Sequence, residues 1–78
     1  MEIKIYSNGK TYLAELEDGS YAVGTRRTIE RNLAQLDSGQ VTCLPCNRPE
    51  GSSSVWKYLT NKEPMVILQL EEVPEWLS

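Results

Sequence analysis

"EIKIYSNGKTYLAELEDGSYAVG", residues 2 to 24, decides the fold, because β-prone segments alternate in it with an Asn-Gly and an Asp-Gly turn. In the first segment Ile3 and Ile5 share one face, and Lys4 and Tyr6 share the other. In the second, Tyr12, Ala14 and Leu16 lie on one side, with Leu13, Glu15 and Glu17 opposite. Tyr21 and Val23 go together in the third. Both turns need a positive φ that Gly9 and Gly19 supply without steric cost. The stretch therefore predicts a three-stranded antiparallel meander, with residues 3 to 6 against 11 to 16 and residues 12 to 17 against 20 to 24.

Beyond Gly24 the period changes. In "TRRTIERNLAQLDS", residues 25 to 38, Ile29, Leu33 and Leu36 fall at i, i+4 and i+7 and form the apolar stripe of a helix. Thr25 or Thr28 can cap its start, and Gly39 stands where a left-handed residue ends a helix. "QVTCL", residues 40 to 44, then predicts a strand, and "PCNRPEGSSS", residues 45 to 54, a loop. Residues 55 to 60 fit either a short helix or a strand, and their aromatic and β-branched content favours the strand. "MVILQLEE", residues 65 to 72, predicts a buried strand, and residues 55 to 60 and 65 to 71 a final hairpin across "NKEP". "VPEWLS", residues 73 to 78, carries enough apolar surface in Val73, Trp76 and Leu77 to dock on the rest. The expected architecture is one small α+β domain over residues 1 to 78. It comprises an antiparallel sheet of a three-stranded meander and two or three further strands, with the helix packed on one face.

Composition narrows the function classes. A chain of 78 residues, 40% hydrophobic, has room for a single thin core. Eight basic against eleven acidic residues give a net charge of −3, which argues against broad polyanion binding while allowing a local basic patch. No apolar run approaches the roughly 18 residues that span a bilayer. "MEIKIY" alternates where a signal peptide would be basic and then apolar, so a cytoplasmic location is expected. The chain has no histidine to serve as a base near neutral pH, no glycine-rich phosphate loop, and no serine or cysteine with a general base in view. A non-catalytic protein without a cofactor or a metal is the expectation.

Three groups of residues could still carry chemistry. Cys43 and Cys46 are the only cysteines, and without histidine they offer one ligand pair where a structural zinc site takes two. A redox pair sits at the start of a helix that lowers the thiol pKa, whereas "NRPEG" after Cys46 breaks any helix. Cys43 is therefore expected to pack as a small hydrophobe at a strand end, with Cys46 in the loop. An intersubunit metal site or a local disulfide is left open. The carboxylates, Glu15, Glu17 and Asp18 with Glu71 and Glu72, lack the cleft that an acid–base pair needs, and read as solvated edges.

The third group is "TRRTIER", which puts Arg26, Arg27 and Arg31 in and around the first turns of the helix. Cations there oppose the macrodipole, so local stability does not account for them. With free backbone N–H groups nearby they could bind the carboxylates of a protein partner or a nucleic-acid phosphate. The plainer reading places them on the solvated helix face, partly neutralised by Glu30 or by Glu15 and Glu17.

The segment "EDGSYAV", residues 17 to 23, resembles an acidic-Gly-Tyr stretch of the antitoxin family built on a small, partial ribonuclease-H-like sheet. The Pro-Gly-Cys turn that follows in that family is missing here, so the resemblance ends with this segment and brings no site residue with it. By elimination the chain reads as a binding module acting on a larger protein as an inhibitor, adaptor or subunit, monomeric or homodimeric. By compositional analogy it could be encoded by a phage or mobile element. The alternative is a small nucleic-acid-binding regulator that uses Arg26, Arg27 and Arg31.

Overall fold

The computed structural model describes residues 1–47, 59 and 61–78. Strands β1 (Glu2–Ser7), β2 (Tyr12–Leu16) and β3 (Tyr21–Gly24) form the expected meander. The registers match the alternation, since Ile3 pairs with Leu16, Ser7 with Tyr12, Tyr12 with Gly24 and Glu15 with Tyr21. Side chains reinforce both turns. Asn8 Oδ1 accepts from the N–H groups of Lys10 and Thr11, each at 2.9 Å. Asp18 Oδ1 accepts from Ser20 N at 2.8 Å and Ser20 Oγ at 2.6 Å. Gly9 and Gly19 adopt φ of 96° and 87°, the region that side chains resist.

Helix α1 (Arg26–Asp37) starts at Thr25, whose Oγ1 accepts from Thr28 N at 3.2 Å. Ile29, Leu33 and Leu36 are buried and pack on Ile3, Ile5, Ala14, Leu16 and Ala22 of one sheet face. The other face carries a smaller cluster of Tyr6, Leu13 and Val23, covered by Leu59. The C-terminal helix α2 (Val73–Leu77) docks as expected, with Val73 fully buried and Trp76 and Leu77 against the main core. An antiparallel sheet with α1 on one face makes the chain an α+β fold.

The second half departs from the sequence expectations in three places. First, "QVTCL" is not a strand. After Gly39 the chain stays on the end of α1, where Gln40 N and Val41 N both donate to Gln35 O. The outer edge of β3 is met further on: Cys46 N donates to Tyr21 O at 2.8 Å, and the Asn47 amide bonds Val23 N at 3.1 Å and Val23 O at 2.9 Å. A side-chain amide thus offers the donor and acceptor that a strand would have supplied. Cys43 is consequently exposed and Leu44 takes the core position.

Second, the expected final hairpin meets a helical residue at Leu59. Residues 55–58 and 60 lie outside the described residues, and Leu59 is helical and buried. Strand β4 (Val66–Gln69) pairs antiparallel with β1, giving the order β3-β2-β1-β4. Third, the apolar run 65 to 72 is a half-exposed edge, not a buried strand. Leu68 faces the core, whereas Met65 and Ile67 are each 50% exposed. It ends at Gln69, whose N–H donates to Glu72 Oε1 at 2.7 Å as Leu70–Glu72 turn into a short 3₁₀ helix.

Candidate functional site

The three arginines leave α1 in two directions. With about 100° per residue, Arg27 and Arg31 lie one turn apart on the side opposite Ile29, Leu33 and Leu36, and both are exposed. Among the described residues neither has an ion-pair partner. Arg26, on the flank, is engaged. Its Nε donates to Glu30 Oε1 at 2.9 Å, and its guanidinium lies 4.3 Å from the Trp76 ring centre and 5.8 Å from that of Tyr12. The bond to Glu30 holds the guanidinium above its usual pKa, so it stays charged.

Arg26 therefore clamps α2 to α1 and β2, while Arg27 and Arg31 project together into solvent. Glu30 neutralises Arg26, whereas Glu15 and Glu17 are used elsewhere. The helix start contributes less to an anion site than its sequence suggests, because Thr25 already accepts the Thr28 N–H. Trp76 is the functional neighbour that the sequence does not reveal, since the apolar pattern of "VPEWLS" marks it only as a docking residue.

The carboxylates take structural roles. Glu17 Oε1 accepts from Glu2 N at 2.7 Å, and Glu15 stands opposite Lys4 across the β1–β2 ladder. Asp18, held below the ordinary aspartate pKa by the hydroxyl and backbone N–H of Ser20, braces its turn. Glu72 caps the end of β4. A shallow hollow of about 250 Å³ lies beside Glu2, Lys4, Glu15 and Glu17. Lys4 lies among the three carboxylates there.

Cys43 and Cys46 are exposed free thiols, and Cys46 has a positive φ of 55°. Among the described residues no group of three or more His, Cys, Asp or Glu side chains could hold a metal ion. No helix among them is long and apolar enough to cross a membrane. No protein-family model matches the chain, nor does any curated protein or solved structure.

Proposed function

We propose that this chain is a non-catalytic protein-binding module, acting on a larger protein through the α1 surface around Arg27 and Arg31. The observation that carries the reading is the pair itself: two exposed guanidinium groups one helical turn apart, without an ion-pair partner among the described residues, on a chain of net charge −3. Arginine suits such a role because its planar fork bonds a carboxylate with two donors at once. Arg26 supports that surface from the flank, because its stack on Trp76 joins α2 to α1. Inhibitor, adaptor and subunit are all forms of this one activity.

The nucleic-acid reading would have to rest on the same two guanidinium groups. Neutralising two phosphates gives a salt slope of only about −1.4 to −1.8, and hence weak binding. Readers of single strands add exposed aromatic rings, whereas among the described residues Tyr6 is buried and Tyr12, Tyr21 and Trp76 are half-buried. Affinity capture on immobilised wild-type chain and on an Arg27→Glu/Arg31→Glu variant tests the proposal. One specific protein lost from the variant supports it, and an unchanged set of captured proteins refutes it.

A further inference from the structure

The row Arg27–Arg31 reaches Gln35 one turn later, and there the helix surface drops into a cleft of about 440 Å³ between α1 and residues 40–45. Its described polar walls are the amides of Asn32, Gln35 and Gln40 and the hydroxyl of Thr42. Val41, Leu44 and Pro45 supply apolar surface, and the Cys43 thiol lies among them. No charged or aromatic side chain is among the described lining residues. The volume lies within the range of about 300–1,000 Å³ that small-ligand pockets occupy.

Asn32 sets this cleft apart from a surface dent. It stands on the buried side of α1 and is 9% exposed, yet its amide makes no hydrogen bond to a described residue. Every fully buried side-chain nitrogen and oxygen of the described residues has a partner, so the Asn32 amide is the part that still reaches the cleft. A leucine in its place would bury apolar surface where the fold leaves an amide unbonded. Its donor and acceptor are open to a group that enters from outside.

We infer that the cleft receives an uncharged peptide segment of the partner, its amide edge meeting Asn32, Gln35 and Gln40 and a small apolar side chain resting on Val41, Leu44 and Pro45. The inference rests on the protein-binding reading and names what is bound beside the arginines. Three chemical features select this occupant. An Asn or Gln amide presents donor and acceptor side by side, the complement of a peptide amide. The described lining has no cation to counter a phosphate or a carboxylate. Nor does the described lining have an aromatic ring on which a nucleobase would stack. Gln35 joins the cleft to the Arg27–Arg31 row, so one partner could touch both.

The probe is N-acetyl-leucine N-methylamide, neutral and carrying one apolar side chain between two amides, titrated into the ¹⁵N-labelled full chain. Saturable shifts of the side-chain NH₂ signals of Asn32, Gln35 and Gln40 are expected at millimolar probe. Asn32→Leu should weaken the response about tenfold while raising the urea midpoint, which a purely structural asparagine would lower. If that variant does not fold, Gln35→Leu, at a half-buried position, should show the same loss of response. Absence of saturable shifts up to the solubility limit, or shifts unaltered in both variants, overturns the inference. Tighter saturation of the same signals by uridine overturns it in favour of a base-binding cleft. The Arg27→Glu/Arg31→Glu variant should still bind the probe, so failure of the cleft and failure of the arginine surface are separate results.

Discussion

Replacing Arg26 with alanine removes its stack on Trp76 at 4.3 Å and its bond to Glu30 at 2.9 Å together. The two side chains of the ion pair are 43% and 39% exposed, so screening limits that pair to about 0.3–0.5 kcal/mol. The stack adds about 0.5–1 kcal/mol at an exposed site. Against these, taking a cation away from a helix N-terminus returns about 0.3–1 kcal/mol. The expected net cost is therefore about 0.5 kcal/mol, between about 0 and 1.2. Most of it should persist in ~1 M salt, where the ion pair and the dipole penalty are screened alike but the stack is not. Urea denaturation followed by far-ultraviolet circular dichroism at low and high salt measures it, and a double-mutant cycle with Trp76→Leu isolates the stack. A coupling of about 0.5–1 kcal/mol is expected. A coupling below about 0.2 kcal/mol would refute the clamp and return Arg26 to the solvated face.

Three further substitutions test other parts of the account. Leu33→Ala, at a fully buried position, should cost about 2–5 kcal/mol in urea denaturation, and a loss under about 0.5 kcal/mol would mean that α1 turns another face to the sheet. Asn47→Ala removes both amide bonds to Val23 and should cost about 1–2 kcal/mol, with faster amide exchange at Val23 as the local signature. Asp18 has a folded pKa below its unfolded value, so its contribution to stability is present above the unfolded pKa and is lost as pH falls through the folded one. Ser20→Ala should therefore raise the Asp18 carboxyl pKa seen by NMR and flatten the acid limb of the stability profile, while an unchanged pKa would show that the Ser20 hydroxyl bond is not made.

The first half of the fold was legible because its determinants are local. Gly9 and Gly19 fix two tight turns, alternation sets the register between them, and Ile29, Leu33 and Leu36 declare the helical face within a few residues. In the second half the determinants lie far apart in sequence. The run 65 to 72 reads as buried because its composition is apolar, yet its place at the sheet edge is decided by pairing with β1 and leaves Ile67 half exposed. "QVTCL" alternates as a strand would, but the chain after Gly39 is bonded to the end of α1 and the β3 edge is met by Asn47. The arginines could be picked out by their conflict with the helix dipole. The contact between Arg26 and Trp76, from the opposite end of the chain, could not be.

The central claim, that Arg27 and Arg31 form a protein-binding surface, is tested most directly by the affinity of the purified captured partner for wild-type chain and for the Arg27→Glu/Arg31→Glu variant. Reversing two charges that face carboxylates should weaken the complex by at least about 100-fold, equivalent to about 2.7 kcal/mol, with the variant's circular dichroism and urea midpoint close to those of wild type. Binding of wild-type chain to duplex or single-stranded nucleic acid should stay undetectable at physiological salt. An affinity unchanged by the double reversal, or submicromolar, salt-sensitive nucleic-acid binding lost in the variant, would contradict the claim.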